Sequence, residues 1–377
     1  MRVFVIAGEP SGDRLGAALM AGLKELSAGV EFAGVGGTGM AGEGLVSQFP
    51  MSELSIMGIA EVAPKYFHLK RRIREVAEAA LAWKPDVIVT IDSPDFCLRV
   101  AKLVKAVSDV KIVHYVAPSV WAWRPGRAKK MAKVIDHVLA LLPFEPPYME
   151  AAGMGCDFVG HPVVAEPLAQ ADEAQAFRAA HAVGEAPLIL ALPGSRKGEV
   201  SRLAETFGTA LRQVVAQRPE ARVVVPVAQG VTELVGQVTA DWPGAPILIA
   251  ADDLEAKRAA FGAADVALAA SGTVSLELAA NGTPMVIAYD LAWISRQIIA
   301  RAVKLDTVTL VNLVSETRVV PEFLLDKCRA ELIAPALLAQ LDDPSAQRAA
   351  MELTMVRLGR GGEAPGLRAA RAVLNVV

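Results

Sequence analysis

Short apolar runs rich in Val and Ile recur along this chain between longer stretches of helical spacing, and that rhythm constrains the fold more than any other feature. In the first half the runs fall at residues 3–7, 32–35, 87–91, 111–116 and 134–141, and in the second at 188–192, 222–227, 246–250, 266–270 and 285–288. They are apolar on successive residues rather than on alternate ones. Strands buried on both faces have this character, as in parallel sheets covered by helices. The pattern predicts an α/β protein with two sheets, one per half. With 377 residues, 53% of them hydrophobic, the chain can fill two cores. The break is expected near residues 162–186, where Pro162 and Pro167 precede a polar helical segment. The expected organisation is an N-terminal domain at 1–165, a C-terminal domain at 166–345 and a helical tail at 346–377 that can return to the first domain. In open parallel sheets ligands bind beyond the carboxyl ends of the strands, so a cleft between the halves is the expected site.

The bulk chemistry excludes several classes. A formal net charge of -3 is close to neutral for this size and gives no general attraction to nucleic acid. Cys97, Cys156 and Cys328 are few and far apart, which argues against a disulfide framework or a zinc cluster and fits a reducing cytoplasm. The opening apolar run meets Glu9 too early for a signal peptide, and no stretch reaches the ~18–20 apolar residues of a membrane span.

The loops after the strands carry the unusual residues. Ala-Gly-Glu-Pro-Ser-Gly-Asp at 7–13 follows the first strand and opens a helix that Ser11 or Asp13 can cap, while Glu9 sits where a carboxylate can face a ligand. Gly-Val-Gly-Gly-Thr-Gly at 34–39 has the outline of a dinucleotide fingerprint but lies in the second βα unit; a phosphate or acceptor contact suits it better than a nicotinamide. Asp92-Ser93-Pro94-Asp95 places two carboxylates just past a buried strand, as a general base or as a capped turn. Ser119, Trp121, Trp123 and Arg124 lie together after another strand; indoles stack on sugars and Arg suits phosphate, while a packed aromatic corner is the alternative.

In the second half, Gly194-Ser195-Arg196-Lys197 offers backbone N–H groups and two cations at a strand-to-helix turn, a good seat for pyrophosphate. Ser271-Gly272-Thr273 begins another helix, with Glu277 one turn in, so that N–H groups can take phosphate and Glu277 a ribose diol; a capping box is the plainer reading. The chain has no Gly-x-Ser-x-Gly, no His-Glu-x-x-His, and no Asp-x-Asp to hold a metal-bound sugar nucleotide. His161 alone of the five histidines is a functional candidate, against a buried structural role.

Taken in order, these strings resemble the lipid-A-disaccharide synthase family. The telling ones are Ala-Gly-Glu-x-Ser-Gly-Asp, Met57-Gly58-Ile59-x-Glu61-Val62, Ile-Asp-x-Pro-Asp-Phe, Pro-Ser-Val-Trp-Ala-Trp-Arg, Leu142-Pro143-Phe144-Glu145, Leu-Pro-Gly-Ser-Arg and Ala-Ser-Gly-Thr. The resemblance runs from about Arg2 to about Pro321; Val311 replaces the family's usual Pro before Asn312. It implies two Rossmann-like domains facing across a cleft, of the GT-B type. It implies inverting transfer of 2,3-diacylglucosamine from its UDP derivative to 2,3-diacylglucosamine 1-phosphate, with no metal and no cofactor. Asp92 is the expected base on the acceptor 6-hydroxyl, with Glu9 the second choice. Gly194, Ser195, Arg196, Ser271, Gly272, Thr273, Glu277 and Asn312 are expected around the UDP-sugar. Ser11, Asp13, Ser119, Trp121, Trp123 and Arg124 are expected around the acceptor.

Such substrates imply a peripheral enzyme on the cytoplasmic face of the inner membrane. Val62, Tyr66, Phe67 and Leu69, beside Lys70-Arg71-Arg72, form one expected membrane contact, and residues 291–304 another. The sequence leaves the oligomeric state open, a homodimer included. Two rival readings stay in view: a sugar-nucleotide epimerase of the same build, which needs no acceptor pocket, and a noncatalytic glycolipid carrier.

Overall fold

The computed structural model describes residues 1–54, 59–122, 126–291 and 306–377, with only the backbone described for 59–65. It divides into two units, Met1–Ala165 with Leu358–Val377, and Glu166–Arg357.

The first unit is built on six parallel strands: β1 (Arg2–Ala7), β2 (Glu31–Val35), β3 (Val87–Ile91), β4 (Lys111–Tyr115), β5 (His137–Ala140) and β6 (Gly155–Phe158), in the order β2-β1-β3-β4-β5-β6. β1 and β3 are buried almost throughout, as unbroken apolar strands demand. Helices α1 (Pro10–Leu26), α2 (Thr38–Gly42), α3 (Ile59–Trp83), α4 (Pro94–Lys105), α5 (Gly126–Met131) and α6 (Pro146–Glu150) connect them. The chain steps outward from β1 to β2, then returns to the other side of β1 to lay down β3. The tips of β1 and β3 therefore flank the point where the strand order reverses, the usual ligand position in such sheets.

The second unit repeats the plan with β7 (Leu188–Leu192), β8 (Arg222–Pro226), β9 (Ile247–Ile249), β10 (Val266–Ala269), β11 (Met285–Tyr289) and β12 (Glu322–Leu324), ordered β12-β11-β10-β7-β8-β9 and all parallel. Its reversal point lies between β7 and β10. Helices α7 (Ala171–Ala180), α8 (Lys197–Gln217), α9 (Thr232–Thr239), α10 (Leu254–Ala263) and α11 (Val274–Asn281) are followed, among the described residues, by helices at Leu310–Ser315, Ala330–Asp342 and Ser345–Arg357.

Three details differ from the sequence expectation. β5 is shorter than the run at 134–141, because residues 132–134 form a turn closed by Val134 N–H to Met131 O. The edge strands β6 and β12 were not anticipated; edges carry fewer apolar residues, so their sequences look like loops. The tail divides: Ser345–Arg357 stays with the second unit, while Pro365–Val376 packs on α1 in the first. That contact is close because both helices present glycine. A Cβ on Gly22 would lie 2.8 Å from Gly366 O.

Candidate active site

In the first unit the backbone is strained where the strands end. Asp92 and Ser93 sit in succession at φ 49° and 41°, and Val116, at the end of β4, has φ 84°. Such values are costly for residues with a Cβ, most of all for a β-branched one, and strain of this kind gathers at functional sites. Asp92 N–H donates to Tyr115 O at 3.0 Å, which ties the two strained tips together. Gly8 lies against Ser93, whose Oγ would be 2.5 Å from a Cβ at position 8, so the Glu9 and Asp92 loops adjoin. Beside them opens a cavity of about 360 Å³. Its polar wall is Glu9, Ser93, Asp95, Lys70 and Arg99, and its apolar wall is Leu54, Tyr66, Leu69, Ile73 and Phe96. Glu9 lines this cavity and Asp92 stands next to its Ser93 edge.

Several expected ligand contacts have other tasks. Asp13 is buried, and its carboxylate accepts from Gly37 N–H at 2.7 Å, Gly39 N–H at 2.8 Å and Met40 N–H at 3.0 Å. It caps α2 rather than its own helix, and it takes the very N–H groups that a phosphate in the glycine loop would need. In the structure Asp13 supports that loop. Gly34 belongs to the same device: at φ 138°, a Cβ would come within 1.8 Å of Val5 O. Trp121 meets Phe144 edge-on at 5.2 Å and donates from Nε1 to Glu145 Oε1 at 3.2 Å, the packed-corner alternative. Ser11 and Ser119 are exposed. Trp123 and Arg124 lie outside the described residues. His161 accepts Val163 N–H at Nδ1, 3.2 Å, and burial lowers its pKa to about 4, the structural reading.

Sequence reasoning gave no role to Glu145. Its carboxylate is buried, accepts Leu142 N–H at 3.0 Å, and is pushed up to about 7 by burial against the pull of its donors. The Leu-Pro-Phe-Glu string was visible, but burial of a lone Glu is a tertiary fact.

In the second unit a cavity of about 330 Å³ lies at the tips of β7, β8 and β10, lined by Gly194, Ser195, Pro226, Val227, Ala228, Ser271, Gly272, Thr273, Glu277 and others. The two loops at the reversal point thus share one pocket, with the N-terminal end of α11 opening into it. Gly194 holds φ 121°, and a Cβ there would lie 2.6 Å from Glu199 Cβ. Glu199 shapes the loop: it accepts Ser195 N–H at 3.2 Å, Arg196 Nη1 at 3.3 Å and the Tyr289 hydroxyl at 3.3 Å. Glu277 accepts Lys257 Nζ at 2.9 Å, a partner that the sequence did not disclose because it comes from α10. Asn312 is 1% exposed, and its side chain is used internally. Nδ2 donates to Val320 O at 2.9 Å and Thr307 Oγ1 at 3.2 Å, while Oδ1 accepts Val320 N–H at 3.0 Å. In the structure the Asn312 side chain braces the segment from 307 to 320.

The expected membrane segment is part of α3, which runs through Pro64 and buries Ile73, Val76, Ala77 and Ala80 on one face. Tyr66 and Leu69 line the first cavity, and Phe67 is 82% exposed. Arg72 turns inward to Glu53, with Nε–Oε2 2.8 Å and Nη2–Oε1 2.9 Å, so it is no free surface cation. The side chain of Val62 and residues 292–304 lie outside the described residues.

Two Rossmann-like α/β units, each with its reversal point at a pocket, define a GT-B-like fold class. The fold matches UDP-GlcNAc 2-epimerase from Neisseria meningitidis bound to UDP-GlcNAc, with TM-score 0.65 at 10% identity over 100% of this chain and 99% of that one. A family model described as lipid-A-disaccharide synthetase matches residues 3–365. The lipid-A-disaccharide synthase of Ruegeria pomeroyi is 66% identical, with 100% of this chain and 95% of that protein covered. That of Rhodospirillum centenum is 47% identical, with 100% and 94% covered. The chain belongs to the lipid-A-disaccharide synthase family and is a glycosyltransferase. The epimerase and carrier readings are not favoured, since the epimerase likeness is one of fold at 10% identity.

Proposed function

We propose that the enzyme moves 2,3-diacylglucosamine from its UDP derivative to the 6-hydroxyl of 2,3-diacylglucosamine 1-phosphate, giving a β-1,6 disaccharide and UDP. The observation that carries the division of labour is the contrast between the two reversal-point pockets. One has strand-tip carboxylates beside an apolar wall; the other has a Gly-Ser-Arg loop and a helix N-terminus. The first suits an amphiphilic acceptor and the second a nucleotide diphosphate.

Inversion requires the acceptor hydroxyl to attack the anomeric carbon opposite the departing UDP. As its O–C bond forms, a carboxylate must take the proton. Asp92 is assigned this proton, with Glu9 the other strand-tip carboxylate. The strained Asp92-Ser93 pair supports that choice. The bond to UDP breaks with charge gathering on the β-phosphate. Ser195, Arg196 and the N-terminal end of α11 after Ser271-Gly272-Thr273 are the groups that oppose it, as preorganised donors do at other developing anions. Glu277 takes the ribose hydroxyls. Substrates carrying acyl chains place the enzyme at the cytoplasmic surface of the inner membrane, where exposed Phe67 is the side chain best suited to enter the headgroup region.

Incubating the protein with UDP-2,3-diacylglucosamine and the 1-phosphate acceptor, then weighing the product by mass spectrometry, tests the reading. A disaccharide monophosphate and UDP are expected; free UDP with hydrolysed or epimerised sugar and no disaccharide refutes it.

A further inference from the structure

We propose that the cavity of the first unit holds the acceptor head group, that Lys70 and Arg99 recognise its 1-phosphate, and that the Leu69 face of α3 takes the start of an acyl chain. This rests on the reading above that the acceptor is a phosphorylated acyl-glucosamine.

The cations of this region sort into used and unused. Arg71 pairs with Glu75, and Arg72 with Glu53 and Glu75. Lys70 in the same run has no ion pair among the described residues, nor has Arg99 on α4, and both line the cavity. Two uncommitted cations in the wall of one pocket are a charge-assisted seat for phosphate. α4 also begins there, with Pro94 in its first turn, and adds the positive end of its dipole. Glu9 and Asp95, in the same wall, would repel phosphate, so they fix the polarity of the ligand: carboxylates accept the sugar hydroxyls, and the phosphate lies toward Lys70 and Arg99.

The remaining wall is apolar. Leu69 and Ile73 follow Tyr66 at helical spacing, so the three form one stripe on α3. That stripe leads outward, since Tyr66 meets Phe67 edge-on at 5.6 Å and Phe67 is exposed. A cavity of about 360 Å³ lies near the lower end of the ~300–1,000 Å³ of small-molecule sites. It has room for a sugar phosphate and the first carbons of a chain but not for two whole chains, which must leave along Tyr66 and Phe67.

The test uses the full chain in detergent micelles, so that membrane docking does not limit the rate. Acceptors with and without the 1-phosphate are compared in the wild type and in a Lys70→Gln, Arg99→Gln double variant. The wild type should prefer the phosphorylated acceptor. The variant should lose about tenfold or more in kcat/KM for it, carried by KM, and little for the unphosphorylated one. The KM for UDP-sugar and the melting temperature should not move, because both side chains are exposed. A folded variant that keeps the phosphate preference, or loses both acceptors equally, overturns the phosphate seat, as does a wild type that makes disaccharide without preference. A wild type that makes no disaccharide fails the proposed function instead. Leu69→Gln should cost a long-chain acceptor more than a short-chain one; equal losses overturn the acyl part.

Discussion

The first unit should respond to acid with a stability slope of one net proton, set by three buried groups that oppose each other. Burial lowers the pKa of His114 to about 4, with the charge of Arg127 adding to it, and burial alone lowers that of His161 to about 4. Each histidine is neutral in the fold and takes a proton on unfolding below its ordinary value of 6.5. Their contribution is therefore present above 6.5 and is lost as pH falls through about 4. Glu145 works the other way. Its pKa is raised from 4.5 to about 7, so between those values the fold holds a proton that the unfolded chain releases, and its contribution is lost as pH rises.

From pH 4.5 to 6.5 the unfolded chain binds two protons that the fold does not, and the fold binds one that the unfolded chain does not. The net is one, so stability rises with pH by a factor of ten in the folding constant per unit. Over that window the gain is about 3 kcal/mol. Surface carboxylates held down by ion pairs, such as Glu53 beside Arg72, act mainly below it. Urea titrations of the wild type and the variants at half-unit pH steps give the slope. Glu145→Gln should double it, and His114→Gln should bring it near zero, whatever either does to absolute stability. A Glu145→Gln slope equal to that of the wild type would refute the assignment of a proton to that buried carboxyl.

Asp92→Asn should lower turnover by ~100-fold or more with UDP binding intact, since base catalysis is typically worth ~10²–10⁴; near-normal turnover, measured by UDP release, passes the role to Glu9. Arg196→Ala should weaken UDP binding and turnover together, and unchanged affinity by calorimetry would exclude that loop from the nucleotide site. Activity should survive EDTA, because Arg196, Lys197 and helix N-termini supply the positive charge; loss on chelation restored by magnesium contradicts this. Phe67→Ser should reduce sedimentation with anionic vesicles and leave the melting curve in place, because burying an aromatic side chain is worth ~1.5–3 kcal/mol and this one is 82% exposed in the fold. Sedimentation unchanged in the variant removes Phe67 as the anchor.

The sequence by itself determined the two parallel sheets and the loops that end their central strands. Buried parallel strands must be apolar on both faces, and chemistry-bearing residues must follow them, so the runs around Glu9, Asp92, Ser195 and Ser271 stand out in one dimension. Family membership was legible for the same reason, as ordered strings on ordered elements. What a polar side chain does once folded was not legible, because a hydrogen-bond partner from a distant segment leaves no local mark. The sequence marks Asp13 and Asn312 as contact candidates but does not show that Asp13 holds the loop at 37–40 or that Asn312 braces Val320. Tyr66 and Leu69 showed their apolarity but not the wall that they form with Glu9 and Arg99, since that wall joins α3, α4 and the tip of β1. Burial, too, belongs to the tertiary structure alone: Glu145 is one carboxylate among many in the sequence, and only the surrounding core raises its pKa to about 7.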